Sequence, residues 1–166
     1  DQEEFITNGF MGAGALEHSY SSLFVYPGFG NFITEVQNDM AHEFLHILTP
    51  LNLHSEIIQP FEFEVPTASQ HIWLYEGVTE WGSDIMQLRG GLITIKEYLD
   101  RISEKISISD GFSKDISLVD LSLGVYSEAI TLEFINFYNK GAVTAALLDI
   151  RLLELSGGNF GLREVF

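Results

Sequence analysis

The sequence predicts one α+β domain, mostly helical, with a small sheet portion near its start. Three observations lead there. Apolar residues recur at helical spacing in four separate stretches, while one early stretch has strand composition instead. In addition, 46% of the 166 residues are hydrophobic and 19% are charged, which is enough apolar surface to offset the entropy of ordering a core.

Residues 16–26 read as strand, set between Gly12 and Gly14 on one side and Pro27-Gly28 on the other. From Thr34 the pattern turns helical. Val36, Met40, Phe44 and Ile47 share one face, Thr34 and Gln37 are expected to form a capping box, and Pro50 stops the run. Met40, Ala41, Phe44, Leu45, Ile47 and Leu48 are expected to bury this helix on most sides. Residues 49–68 form a long irregular connection punctuated by Pro50, Pro60 and Pro66, within which residues 61–65 alternate like a short strand. Connections of that length in compact domains are often functional.

A second helix is expected over residues 70–88, stopped by Gly90-Gly91. A third begins at Thr94, where Glu97 completes a capping box, and it carries Ile95, Leu99, Ile102 and Ile106 in one stripe. Residues 107–124 are polar and loop-like. The last helix is expected over residues 139–155, closed by Gly157-Gly158, with Val143, Leu147, Ile150 and Leu153 packing into the core.

Charge and composition exclude several functions. Eight Lys and Arg against 24 Asp and Glu give a net charge of −16, which disfavours nucleic acid as a ligand. The same balance suits cationic peptides through long-range attraction, or simple solubility. No apolar run reaches the ~18 residues of a membrane span. The chain has no cysteine, so disulfides, thiolate metal sites and cysteine nucleophiles are absent, while the compartment stays open. The first residue is Asp1 rather than Met, and residues 162–166 read as the opening of a helix, so a piece of a longer protein is expected.

Chemistry enters at His42-Glu43-Phe44-Leu45-His46. In this H-E-x-x-H pattern the two imidazoles lie one above the other on a helix face and can hold one Zn2+ from the same side. Glu43 can then act as general base on a water whose pKa zinc lowers to about 7. A carboxylate buried between two histidines is costly unless something compensates its charge, and a dication does. A catalytic zinc takes three protein ligands. Glu76, within Trp73-Leu74-Tyr75-Glu76-Gly77-Val78-Thr79-Glu80-Trp81, is the best candidate for the third, with His71 and His54 as lesser ones. Gly77 in mid-helix costs about 1 kcal/mol relative to Ala, and a close approach to the H-E-x-x-H helix is the expected reason. Glu80, one turn further, is placed to hydrogen-bond the outer ring nitrogen of a zinc-bound histidine.

H-E-x-x-H followed by W-L-x-E-G on a second helix resembles the gluzincin metallopeptidases, and within them the glycyl aminopeptidase family. That resemblance implies a thermolysin-like (zincin) catalytic domain. It also implies a longer parent chain with an upstream β domain and often a C-terminal PDZ domain. Two further segments carry it. Gly14-Ala15-Leu16-Glu17-His18 is similar to the family's G-G-L-E-H strand and to the G-A-M-E-N strand of the aminopeptidase N family. It implies that Glu17 accepts the α-ammonium of the substrate and that His18 lines the same cleft. Tyr138-Asn139-Lys140-Gly141-Ala142 is similar to a Y-x-K-G-A segment and implies that Tyr138 donates its hydroxyl to the oxyanion, with Lys140 structural. The 29 residues between His46 and Glu76 match the longer spacing of the glycyl family. The basic segment that usually follows the second histidine there is replaced by Ile47-Leu48-Thr49-Pro50-Leu51-Asn52-Leu53-His54.

The resemblance thus implies one catalytic Zn2+ on His42, His46 and Glu76, and hydrolysis of an N-terminal peptide bond after a small residue, Gly or Ala. The implied partners are peptides with a free N-terminus and other domains of the parent chain. An endopeptidase of the same fold, and a zinc-stabilised binding module without turnover, are the competing readings.

Overall fold

The structure, a computed structural model, describes residues 14–18, 21–27, 32–58, 67–128 and 130–165. Two short strands, β1 (Gly14–His18) and β2 (Ser21–Val25), pair antiparallel with Glu17 opposite Ser22. The expected single strand is therefore a hairpin. It lies against α1 (Ile33–Leu45), which places Glu17 beside the first helix. Then come a 3-10 turn (Glu56–Ile58) and the helices α2 (Ile72–Arg89), α3 (Ile95–Ser109), α4 (Leu118–Leu123) and α5 (Asn136–Leu155), with a last 3-10 turn at Leu162–Glu164. The strand-like residues 61–65 lie outside the described residues. Among the described residues no helix is long and apolar enough to cross a membrane.

The core forms where α2 crosses α5. Val78 and Trp81 of α2 pack against Ala142, Ala145 and Ala146 of α5 and Leu162, with Leu74, Ile85, Ile102 and Leu152 around them. Small residues on α5 let the two helices approach until Gly77 and Gly141 touch. A Cβ on Gly77 would lie 2.5 Å from the carbonyl carbon of Gly141. The sequence expectation that Gly77 admits α1 is thus corrected. It admits α5, and Gly82 is the α2 glycine that faces α1, with Leu45 2.9 Å from where its Cβ would stand. The stripe expected to pack α5 is corrected too. Leu147 and Ile150 are exposed, because the alanine face gives the closer helix approach.

Helix ends explain other differences. The capping box at Thr94 and Glu97 forms as expected. The one expected at Thr34 does not: α1 starts at Ile33 after Phe32, and Gln37 Nε2 instead donates to Gln87 Oε1 of α2 at 2.7 Å. The polar stretch 107–124 contains the end of α3 and all of α4, whose Ser117 side chain accepts from the Asp120 N–H. That short helix has a task. α2 has no side-chain cap of its own, and Ser122 of α4 accepts the Trp73 N–H at 3.0 Å, satisfying one of the unpaired donors of a helix start. At the C-termini, Gly91, Gly157 and Gly158 take positive φ where the chain turns away from α2 and α5.

α1 itself is not buried on most sides. Met40 (54%) and Phe44 (59%) are exposed, with Ile47 and Leu48, while Ala41, His42, Glu43 and His46 are buried. The inward face of this helix is therefore its polar one.

Candidate metal centre

The i, i+4 spacing on α1 sends His42 and His46 inward together. Their rings stand 4.7 Å apart, nearly perpendicular. From α2, Glu76 reaches both: its Oε2 lies 3.3 Å from His42 Nε2 and 3.6 Å from His46 Nε2. Ligand atoms of the three residues all fall within 4.8 Å of one another.

The outer ring nitrogens decide what those inner atoms are. His46 Nδ1 is 2.8 Å from the carbonyl oxygen of Thr49, which can only accept, so the proton sits on Nδ1. His42 Nδ1 is 2.9 Å from Oε2 of Glu80, where a carboxylate imposes the same tautomer. In their neutral forms both imidazoles thus turn an Nε2 lone pair toward a carboxylate oxygen. Three electron-pair donors converging in a buried space repel unless a cation lies among them. Without a metal ion, the cation is a proton. Burial alone would depress His42, but its hydrogen bonds to Glu76 and Glu80 outweigh that and raise its pKa from 6.5 to about 10. The carboxyl of Glu76, which burial alone would push up, is held below its ordinary range by the hydrogen bond to His42. Glu80 likewise overcomes burial through its hydrogen bond to His42 and the charge of Lys105, and falls to about 2.

Glu43 sits beside this trio without joining it. Burial raises its pKa from 4.5 to about 7, against the pull of His46 and His42, and its Oε2 is buried with no hydrogen-bond partner among the described residues. Glu17, from β1, forms a second close group with Glu43 and His46, their ligand atoms again within 4.8 Å. Tyr138, in the first turn of α5, stacks at an angle 5.5 Å from the His42 ring. Its hydroxyl is hydrogen-bonded to Glu76, and burial together with the charges of Glu76, Glu43 and Glu80 raises its pKa well above 10. It is therefore a donor at any neutral pH.

Of the residues singled out in the sequence, the structure brings together Glu17, His42, Glu43, His46, Glu76, Glu80 and Tyr138. The backbone of His18 is in β1, and its side chain lies outside the described residues. His54 and His71 are corrected as ligand candidates. They line a separate cavity of about 300 Å3 with Leu53, Glu56 and Leu74, where His54 Nδ1 is held by the carbonyl of Pro50 at 2.6 Å.

Two participants, Thr49 and Lys105, carry no motif, and Asp84 and Arg101 lie outside the site beside Lys105. Thr49 acts through its backbone. Lys105 of α3 lies 2.6 Å from Glu80 Oε1 and 3.5 Å from Asp84 Oδ2, and Arg101 lies 2.6 Å from Asp84 Oδ1. The available signal is a pair of i, i+4 carboxylates on α2 matched by i, i+4 cations on α3.

The donor set fits a divalent ion that favours nitrogen and oxygen ligands. Two imidazoles with fixed tautomers and one carboxylate converge, and a buried carboxylate oxygen beside them lacks a partner. The fold is shared with a solved structure described as an aminopeptidase N family protein from Idiomarina loihiensis, at a TM-score of 0.78 and 22% identity. The match covers 93% of this chain and 30% of that one, so the chain spans under a third of that protein's length. Among curated proteins none matches. The profile of the M61 glycyl aminopeptidases matches residues 35–144, which run from the first turn of α1 into α5 and include His42, Glu43, His46, Glu76 and Tyr138. The chain belongs to the M61 glycyl aminopeptidase family.

Proposed function

We propose that this chain carries the catalytic site of a zinc-dependent aminopeptidase of the gluzincin type, with a thermolysin-like arrangement of its helices. The observation that carries the reading is the convergence of His42 Nε2, His46 Nε2 and Glu76 Oε2. These three residues would hold the ion. When bound, a zinc ion supplies Lewis acidity toward the scissile carbonyl and makes water acidic enough to act near neutral pH.

The remaining work falls to the protein. Glu43 takes a proton from the attacking water through its unpaired buried oxygen and delivers it to the departing amine. Tyr138 keeps its proton and donates a hydrogen bond to the carbonyl oxygen as negative charge develops there. Glu17 accepts the α-ammonium of the peptide in a charge-assisted hydrogen bond and so selects a free N-terminus. Its closeness to Glu43 and His46 supports an exopeptidase over an endopeptidase, because an ammonium held there leaves the first peptide bond beside the base. The family name suggests Gly as the first residue, and the resemblance extends the expected preference to another small residue, Ala.

The test is hydrolysis of an aminoacyl-arylamide panel by the zinc-loaded and the chelated chain, each also offered N-acetylated versions. Zinc-dependent release from free Gly and Ala substrates, with the acetylated ones intact, is expected. Equal cleavage of blocked substrates would remove the role of Glu17. Zinc uptake without any cleavage would leave a binding module.

A further inference from the structure

Among the lysine and arginine ion pairs of the described residues, those between α2 and α3 stand apart. The pairs Lys96–Asp100 and Arg151–Glu154 lie within single helices and Lys114–Asp110 in the turn after α3, all on exposed surface, and Arg163 pairs with its own neighbour Glu164. Lys105 and Arg101 instead reach across from α3 to α2, and their partner Asp84 has only 3% of its side chain exposed. Lys105 keeps 14% exposed. A lysine with so little water loses hydration and rotamer freedom, and those costs are recovered only where its partners are well placed.

The partners divide the work unevenly. Asp84 is already paired with Arg101 at 2.6 Å, so Lys105, 3.5 Å from its other oxygen, is not needed to neutralise it. The short contact of Lys105 is the one to Glu80 Oε1, at 2.6 Å. The other oxygen of the same carboxylate, Oε2, accepts from Nδ1 of His42 at 2.9 Å. A Glu side chain has three rotatable torsions, and one hydrogen bond to an imidazole does not fix them. Two bonds, one from each side, do.

We propose that Lys105 is a positioning residue of the metal site. Its ammonium holds the Glu80 carboxylate from behind, and Glu80 in turn fixes the tautomer and ring plane of His42, so that Nε2 faces Glu76 and His46. The chain of contacts runs from α3 through α2 to α1, and it makes metal retention depend on a helix that supplies no ligand. This rests on the proposed metal site, since without an ion the orientation of His42 has no consequence for binding.

The bland alternative is that Lys105 merely fastens α3 to α2. Arg101 separates the two, because it joins the same helices through Asp84 and does not touch Glu80. Apparent zinc affinity is measured for the wild-type chain and for Lys105→Met, Lys105→Gln, Lys105→Arg and Arg101→Met, by competition with a chromophoric chelator, alongside thermal melts of the metal-free forms. Lys105→Met is expected to weaken zinc binding about 10-fold, the lower end of what losing the carboxylate directly behind a ligand usually costs. Lys105→Arg should recover most of it, and Arg101→Met should lower the melting temperature while leaving affinity within about threefold. If Lys105→Met does not fold, Lys105→Gln is read in its place, with a smaller loss in the same direction. Wild-type affinity in the Lys105 variants, or an equal loss in Arg101→Met, would overturn the positioning role and leave the metal site standing. Failure of the wild-type chain to take up zinc would overturn both.

Discussion

The two long sides of α2 are built on opposite principles. Toward α5 it presents Gly77, Val78 and Trp81, and the seam closes by shape, backbone almost against backbone at Gly77 and Gly141. Toward α1 it presents Glu76 and Glu80, and the seam is polar, with His42, Glu43 and His46 buried opposite. A close-packed seam is complete in itself. A seam of converging lone pairs is complete only with a cation inside it. One helix thus serves as the rigid backing of a site and as one of its walls, and a change on each side should fail in a different way.

The largest effect belongs to the polar side. Glu43→Gln is expected to lower hydrolysis about 10²- to 10⁴-fold while the zinc content is kept, measured as turnover together with metal content. Tyr138→Phe follows, at about 10²- to 10³-fold in kcat with metal content again unchanged, since the hydroxyl is a donor to developing charge. Substitution in the apolar seam should strike stability instead. Gly77→Ala drives a Cβ into the backbone of Gly141, which no rotamer change relieves, and is expected to cost about 3 kcal/mol, the upper end of ordinary overpacking. A thermal melt of the metal-free chain would show it as a drop of several degrees.

Removing the metal should make the polar seam sensitive to pH. The folded-state pKa of His42 is raised, to about 10, so its contribution is fully present below about 6.5 and is lost as pH rises through 10. Glu43 is also raised, to about 7, so its contribution is present below about 4.5 and lost as pH rises through 7. Both carry the same sign, and the metal-free chain is expected to melt lower as pH climbs from about 5 to 10. Glu80 is depressed to about 2, and its contribution is lost only as pH falls below about 4.5. Metal must displace the proton on His42, so zinc affinity should tighten over the same rise. The gap between zinc-loaded and metal-free melting temperatures then widens with pH, whereas a constant gap would remove the shared-cation account. The smallest effect is expected at Lys114→Ala, which breaks a pair 75% and 66% exposed and should change stability by no more than about 0.5 kcal/mol.

What could be read from the sequence follows the same division. The H-E-x-x-H spacing and the Glu76–Glu80 interval are local, and a helix carries them directly into geometry. The cap at Thr94 and the glycines ending α2 and α5 are equally local. The packing partner of Gly77 was not legible, because a glycine in a helix announces a close approach without saying to what. The apolar stripe on α5 misled for a related reason. Alanines allow the nearer approach, so Ala142, Ala145 and Ala146 took the core and left Leu147 and Ile150 outside. α4 was hidden by its length of only six residues and by the polar residues that precede it, although its Ser122 is what completes the start of α2. Lys105 lies 63 residues from His42 in sequence, and the matched i, i+4 spacings on α2 and α3 do not by themselves say that these two helix faces meet.

The claim beneath all of this is that His42, His46 and Glu76 hold one ion together. Its most direct measurement is the zinc content of the wild-type chain and of Glu76→Gln after equilibration in zinc and removal of unbound metal. The account predicts close to one ion per chain in the wild type and a small fraction of that in the variant. Equal retention by the two, or none by the wild type, would contradict it.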